Sequence, residues 1–177
     1  DSINGEGSFE RRAIQSAEDG MIPCPINVNP NWTSKSRIYG EAVESWVEKN
    51  IQCDCLGSYI IQKANYKSID GICNNCQKKI QIKASKNIFK PNKSNFLKIM
   101  GAEYKTTLKS IKEMDWDLIL VSYEEETNNI HQVLRITSKN INEECVVPRA
   151  KLKETARRAG WQGCYLLFNW RHVEVIF

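Results

Sequence analysis

The chain has 177 residues, a net charge of +4 and a hydrophobic content of 41%, values typical of a globular protein with its own core. No apolar run approaches the roughly 20 residues that a membrane-spanning helix needs, and the first residues lack a basic-then-apolar leader, so no membrane partner is expected. We expect residues 1–20, which are polar, to be a tail or linker and residues 21–177 to form a single domain.

The order of predicted elements indicates an α/β (α+β) fold. Apolar residues at helical spacing predict a helix over 36–50, and strict alternation predicts a strand over 79–84. The other expected elements are strands at 59–63, 66–71, 116–123, 131–136, 163–168 and 172–177, a helix over 95–114 broken near Gly101, and a helix over 148–159. This order predicts a mixed sheet flanked by helices.

Four of the seven cysteines lie in two close pairs, Cys53-x-Cys55 and Cys73-x-x-Cys76. An odd total argues against a disulfide framework, whereas two pairs on adjacent turns supply the four sulfur ligands of a tetrahedral Zn²⁺. The pattern therefore predicts a small zinc-binding knuckle embedded in the domain and a reducing, cytoplasmic location. Cys24 is an alternative ligand, and four buried free cysteines are the competing interpretation.

An acidic residue and a Gln-x-Lys pair flank the second cysteine pair. Asp70 stands before Cys73, and Gln81 and Lys83 follow Cys76 on the alternating strand. Because Ile80 and Ile82 point to one face of that strand, Gln81 and Lys83 share the other. This arrangement resembles the metal-dependent nucleases of the PD-(D/E)XK type, with an amide in place of their second carboxylate. The competing interpretations are a turn residue at Asp70 and a surface lysine at Lys83.

The positive charge is concentrated in one segment. Residues 78–112 contain ten lysines and one acid, so this segment carries +9 and the remainder −5. Such a surface attracts phosphate backbones, although a lysine run is also found on ordinary solvated faces. The candidate nucleic-acid-binding residues are Lys86, Lys90, Lys93, Lys98, Arg157 and Arg158. The two arginines have an equally good structural explanation as helix-end caps or ion-pair partners.

The segment Thr155-Ala-Arg-Arg-Ala-Gly-Trp-Gln-Gly-Cys164 resembles the signature near the end of the catalytic domain of DpnI-type (Dam-replacing family) restriction endonucleases. The helix end at 44–47, Asp70 before the cysteines and Gln81-Ile-Lys83 follow in the same order as in that family. The resemblance spans about 36–177. It implies a PD-(D/E)XK nuclease fold with a structural zinc that cleaves double-stranded DNA containing methylated adenine in GATC, and a winged-helix domain that we do not expect within this chain.

The resemblance implies a Mg²⁺-dependent endonuclease in which Asp70 and Gln81 bind the metal and Lys83 assists the attacking water. Glutamine lacks one negative charge of the usual site, and Glu41, Glu44 or Glu48 on the preceding helix is an alternative source of that charge. A degenerate nuclease with a binding or structural role in a larger assembly is the second hypothesis. Cleavage of both strands by one site per chain requires a homodimer or two successive events.

Overall fold

The computed structural model describes residues 35–62, 69–91, 93–113 and 115–177. The elements in these ranges are α1 (Lys35–Asn50), β1 (Tyr59–Ile61), β2 (Gly71–Cys73), β3 (Lys79–Ser85), β4 (Phe96–Glu103), α2 (Tyr104–Glu113), β5 (Trp116–Tyr123), β6 (Ile130–Ile136), β7 (Val146–Pro148), β8 (Gly163–Asn169) and β9 (Glu174–Val175). They form two compact units, and the first comprises the described residues up to Ile88, Asp117–Arg135 and Glu174–Phe177.

The first unit is built on a six-stranded sheet with the order β1-β2-β3-β5-β6-β9. Strands β1, β2 and β3 form an antiparallel meander, in which Tyr59 pairs with Cys73 and Gly71 pairs with Ile80. The next neighbour of β3 is β5, so the chain leaves this sheet after β3 and returns to it. Helix α1 packs against β1 and β3.

The core of the first unit lies between α1 and the sheet. Val43, Trp46 and Val47 on the helix are buried, as the helical spacing predicts, and they belong to one cluster with Ile80 and Ile119 on the strands. All eight residues of β5 are buried, which explains why its sequence is mostly apolar, with Leu118 to Val121 as a continuous apolar run, instead of alternating. This core holds α1 against β3, the strand that carries the candidate residues Gln81 and Lys83.

The second unit comprises Phe89–Trp116 and Ile136–Val173. Its three-stranded sheet has the order β4-β8-β7, both pairs are antiparallel, and α2 packs on β4 and β7. Short 3₁₀ turns lie at Ser138–Asn140, Glu143–Cys145 and Trp170–His172. The described part of the chain is therefore α+β, with a multi-stranded sheet flanked by helices as expected, and whether the two units form one domain stays a prediction.

The expected helix over 95–114 is wrong in its first half. Residues Phe96–Glu103 form β4, in which Leu97 and Ile99 are buried while their neighbours are exposed. Gly101 does not break a helix there: a Cβ at this position would lie 2.6 Å from the sulfur of Cys164 on β8. Only glycine allows this close approach of the two strands, and the helical part is confined to Tyr104–Glu113.

The expected helix over 148–159 is also wrong, because this segment forms turns. Leu152 is exposed, and an amphipathic helix here would have no buried apolar stripe. The N–H of Leu152 donates to the carbonyl of Trp161 instead, and Gly160 adopts a left-handed φ of 76°. The last predicted strand, 172–177, is shortened to Glu174–Val175, because Asn169 caps a 3₁₀ turn at Trp170–His172.

Several expectations concern residues outside the described ranges. They are the tail at 1–20, the alternative zinc ligand Cys24, and most of the strand predicted at 66–71. Among the helices that the structure describes, neither is long and apolar enough to cross a lipid bilayer.

Candidate functional site

Asp70 lies just before the start of β2, beside the middle of β3. It directly precedes Gly71, which pairs with Ile80 on β3. The N–H of Asp70 also donates to the carbonyl of Ile80, at 2.9 Å. The carboxylate also accepts the N–H of Ile82 at 2.7 Å through Oδ2. The side chain is thereby fixed against the middle of β3.

Gln81 and Lys83 lie on the face of β3 opposite Ile80, which is fully buried in the core. Both side chains are partly exposed, so a ligand can reach them. The Lys83 ammonium is close enough to Asp70 to lower the pKa of that carboxyl, although burial has the larger effect and the pKa of Asp70 is raised overall. The structure thus brings together Asp70, Gln81 and Lys83, the three residues that the sequence predicts to be catalytic.

A second carboxyl group, Glu44 on α1, belongs to the same site. The pKa of Glu44 is raised to about 7, first by burial and then by the negative charges of Asp70 and Glu41. An electrostatic effect of this kind requires the Glu44 and Asp70 carboxylates to be neighbours. Partly buried carboxyl groups with raised pKa values are frequent at functional sites.

Of the three glutamates considered on α1, only Glu44 fits the role of a second carboxyl group beside Asp70. Glu48 accepts the N–H of Ile61 at 3.2 Å, so its carboxylate is engaged by β1. Glu41 is exposed and acts on Glu44 through its charge. Glu44 is the partly buried one whose pKa responds to the charge of Asp70. The sequence alone could not show which of these three glutamates lies at the candidate site, because this depends on how α1 packs on β3.

The four paired cysteines form one cluster. The sulfur atoms of Cys53, Cys55, Cys73 and Cys76 all lie within 4.8 Å of one another. The closest pairs are Cys55–Cys73 at 3.4 Å and Cys53–Cys76 at 3.5 Å, well beyond the roughly 2.05 Å of a disulfide. A tetrahedral zinc with Zn–S bonds of about 2.3 Å places its sulfurs about 3.8 Å apart. The donor set and its spacing therefore fit zinc, and the cluster can bind such a metal without Cys24.

The turns around the cluster direct backbone N–H groups at the sulfurs. The N–H of Gly57 donates to Cys55 Sγ and the N–H of Asn75 donates to Cys73 Sγ, each at 3.4 Å. The Gly57 contact is the main reason why the pKa of the Cys55 thiol is lowered to about 6, whereas burial raises the pKa of the Cys53 thiol to about 12. A Cβ at Gly57 would lie 2.6 Å from Cys73 Sγ, so glycine is required there.

Arg135 on β6 attaches the first cysteine turn to the sheet, a role that the sequence did not reveal. Its guanidinium is buried and donates to the Gln52 carbonyl at 2.6 Å and to Asp54 Oδ1 at 2.7 Å. These two residues flank Cys53. A lone arginine in an apolar strand, Val-Leu-Arg-Ile, was the only signal in the sequence, and it gave no indication of the partner.

Replacing Arg135 with alanine should lower the free energy of unfolding by about 3 kcal/mol, because the buried Gln52 carbonyl loses its charged donor and a cavity remains. Denaturant unfolding of the zinc-loaded protein measures this loss. The control is Asp54→Ala, which removes the exposed partner and should cost less than about 1 kcal/mol. Equal losses in the two variants would contradict the role assigned to the backbone contact.

The candidate DNA-contacting lysines have different environments. In the first unit, Lys86 lies 3.1 Å from Glu125, so part of its charge is neutralised. In the second unit, Lys90 and Lys93 are exposed, and the Lys98 ammonium lies 3.9 Å from the centre of the Tyr165 ring. Two further lysines of the basic segment, Lys78 and Lys112, form ion pairs with acids. The effective positive charge of the segment is therefore smaller than its sequence suggests.

Arg157 and Arg158 lie in exposed turns instead of at the end of a helix. The Arg158 guanidinium lies 4.8 Å from the centre of the Trp161 ring, a cation–π contact that fixes it on the surface of the second unit. Helix capping, one of the two explanations considered for these residues, is excluded, because no helix forms there. Both remain candidates for phosphate contacts.

A comparison with known protein families assigns the chain to a family of restriction endonucleases. The chain belongs to the Dam-replacing family of the DpnI type, whose model matches residues 22–171. The family implies DNA as the substrate, and it is the family that the Thr155–Cys164 segment, the cysteine pairs and the Gln-x-Lys strand predict. The match includes both units and all the candidate site residues described above.

Proposed function

We propose that the chain is a Mg²⁺-dependent endonuclease of the PD-(D/E)XK type that cleaves double-stranded DNA containing methylated adenine in GATC. The observation that carries this proposal is the placement of Glu44 and Asp70 as neighbouring carboxyl groups beside Gln81 and Lys83. Family membership supports the substrate, and the close cluster of four cysteine sulfurs supports a structural zinc.

The residues fit a hard divalent cation. The carboxylates of Asp70 and Glu44 and the amide oxygen of Gln81 are oxygen donors of the kind that Mg²⁺ prefers. Burial raises the pKa of both carboxyl groups, and the negative charge of Asp70 raises the pKa of Glu44 further. When bound, Mg²⁺ supplies positive charge to the scissile phosphate and lowers the pKa of a coordinated water.

The protein groups have separate tasks in this proposal. Asp70 is held rigidly by the Ile82 N–H, so its free lone pairs keep a fixed direction. The Lys83 ammonium orients the attacking water and offsets the negative charge that develops on the phosphate. Glu44, from a different element, closes the acidic side of the site. Gln81 contributes an oxygen without a further negative charge, which limits repulsion among three crowded groups.

The second candidate function is a nuclease-derived DNA-binding module that no longer cleaves, and Gln81 is the observation in its favour. Incubation of the purified chain with Mg²⁺ and two plasmids, one adenine-methylated at GATC and one unmethylated, distinguishes the two. We expect cleavage of the methylated plasmid alone. Cleavage of both would remove the methyl specificity, and cleavage of neither by the folded, zinc-loaded chain would favour the binding module.

Glu44→Gln should reduce cleavage at least tenfold and also stabilise the metal-free protein. The pKa of Glu44 is about 7 in the folded chain and 4.5 ordinarily, so its contribution to stability is fully present below pH 4.5 and is lost as pH rises through 7. At pH 8 the neutral glutamine avoids that loss, which we expect to be about 2 kcal/mol for a partly exposed group. Unfolding at pH 5 and pH 8, with a plasmid assay, measures both effects.

The matched control for this prediction is Glu48→Gln on the same helix. Its amide oxygen can still accept the N–H of Ile61, so neither cleavage nor the pH dependence of stability should change much. Mg²⁺ affinity of the unaltered protein should rise between pH 6 and pH 8, as Glu44 loses its proton. A Glu44→Gln protein with full activity would show that this carboxylate is not part of the metal site.

The proposal extends to three properties of the whole molecule. Cutting both strands with one site per chain requires a homodimer or two successive events, which sedimentation with and without DNA distinguishes. The cysteine thiolates require a reducing compartment, so we propose a cytoplasmic location. The single-domain organisation over 21–177 predicts one cooperative unfolding transition that includes both units.

A further inference from the structure

A cavity of about 470 Å³ lies within the second unit, where β4 begins and β8 ends. This volume falls in the range of roughly 300–1,000 Å³ that small-molecule pockets occupy. Its wall combines one exposed phenylalanine, two cations, three asparagines and one acid with buried apolar residues that include a second phenylalanine. None of the candidate site residues in the first unit lines it, so it is distinct from the proposed active site.

Phe96 provides a flat apolar wall. It is the first residue of β4, it pairs with Asn169 at the end of β8, and half of its side chain (49%) is exposed. The buried residues of the same strand, Leu97 and Ile99, show that β4 has an interior face available, yet Phe96 lies on the other face. An exposed phenyl ring at a cavity wall is a suitable platform for stacking a planar base.

Lys139 and Arg171 provide the positive charge of the cavity. Nε of Arg171 donates to His172 Nε2 at 3.2 Å, which orients the guanidinium. Among the described residues, no acceptor lies within hydrogen-bond distance of the terminal amino groups of Arg171, and no carboxylate pairs with Lys139. An oriented guanidinium with free donors is suited to bidentate binding of a phosphate.

The asparagines add directed donors. The Asn142 side-chain oxygen accepts the N–H of Glu144 and the Asn169 side-chain oxygen accepts the N–H of Arg171, each at 3.0 Å. Because the oxygen of each side chain is occupied and its orientation thereby fixed, the amide nitrogen is left as a donor at the cavity wall. Glu144 provides the one carboxylate of the cavity wall, and this group can accept a hydrogen bond from an exocyclic amino group of a base.

This combination excludes the simpler ligand classes. A divalent cation would face two positive side chains and a single carboxylate, and a purely apolar ligand would leave the cations and amides without partners. An aromatic surface, phosphate-binding cations and amide donors in one cavity of this size match the parts of a nucleotide. We propose that the cavity binds a single nucleotide, with the base on Phe96 and the phosphate at Arg171 and Lys139.

The nucleotide has two sources, a free monophosphate or one residue of a DNA strand, and binding measurements distinguish them. The probes are 2-aminopurine deoxyribonucleoside monophosphate and a short single strand containing 2-aminopurine, whose fluorescence is quenched on stacking. The full zinc-loaded chain is titrated without Mg²⁺, so cleavage plays no part. Equal affinity for both probes indicates a site for free nucleotide, and stronger binding of the strand indicates a site for a nucleotide within DNA.

We expect Phe96→Ala and Arg171→Ala each to weaken nucleotide binding about tenfold. Phe96→Trp, which keeps an aromatic ring on the cavity wall, should bind with about the affinity of the unaltered chain. The matched controls in the same unit are Leu152→Ala, an exposed apolar residue, and Lys151→Ala, an exposed cation, neither of which lines the cavity. Thermal unfolding checks that each variant is folded. Binding of neither probe, or quenching that Phe96→Ala and Arg171→Ala leave unchanged, would overturn the proposal.

The probe-binding measurements test the nucleotide cavity independently of the proposed DNA cleavage. A chain that binds the probes and cuts no plasmid would support the nucleotide cavity and reject the endonuclease. A chain that cuts methylated DNA and binds neither probe would do the reverse.

Discussion

Replacing Lys83 with alanine should reduce DNA cleavage by about a hundredfold or more, with little change in stability. The ammonium group lies near Asp70 on the partly exposed face of β3, so in the proposed reaction its removal takes positive charge from the place where the phosphate becomes more negative. The core contacts of β3 come from Ile80 on the opposite face and are retained. Plasmid cleavage under single-turnover conditions measures the loss directly.

The control for this experiment is Lys49→Ala, an exposed lysine in the last turn of α1. It carries the same charge in the same unit and should leave the rate within about twofold. DNA binding by Lys83→Ala, measured without cleavage, should fall far less than the rate. If the Lys83→Ala rate matched that of the unaltered chain, the assignment of the site to this face of β3 would be wrong.

Removing zinc should destabilise the first unit strongly. Structural zinc sites contribute on the order of 10 kcal/mol of binding free energy at neutral pH, and this energy is coupled to folding. The cluster joins the segment after α1 to the turn between β2 and β3, and Cys53 and Cys73 belong to the buried core. We expect one zinc per chain and a fall of about 10 °C or more in the unfolding midpoint after chelation or in Cys73→Ser.

Cys145→Ser is the matched control, since Cys145 is a free cysteine outside the cluster. It should retain one zinc and the unaltered midpoint, because a serine hydroxyl can replace the weak sulfur contact to the Asn140 carbonyl. Elemental analysis and thermal unfolding of both variants provide the comparison. A Cys73→Ser protein that keeps its zinc would show that the metal lies elsewhere.

The candidate site was predictable where the signal was local. Alternation in β3 predicted the face shared by Gln81 and Lys83, and the spacing of the cysteine pairs predicted the cluster of four sulfur atoms. These features depend on residues a few positions apart, with geometry that follows from the strand itself. The helix α1 and the buried strand β5 were predictable for the same reason, because each has a long uninterrupted pattern.

The errors arose where distant residues decide the structure. The sequence of β4, with its lysine, methionine, alanine and glutamate, has ordinary helical preferences, yet pairing with β8 makes it a strand. Leu97 pairs with Phe168, a partner far along the chain that no local pattern reveals. Glu44 and Arg135 could not be selected for the same reason: their roles depend on Asp70 and Gln52, which lie on other elements.

The strand β3 follows the second cysteine pair directly, and this restricts insertions and deletions in the short connection between them. Cys76 ends the second cysteine pair, and Gln77 to Ile80 lead into the candidate active site through a left-handed residue at Gln77. Inserting or deleting one residue here would turn Ile80 and Ile82 outward and place Gln81 and Lys83 in the core. Active homologues should therefore vary this connection by an even number of residues or not at all.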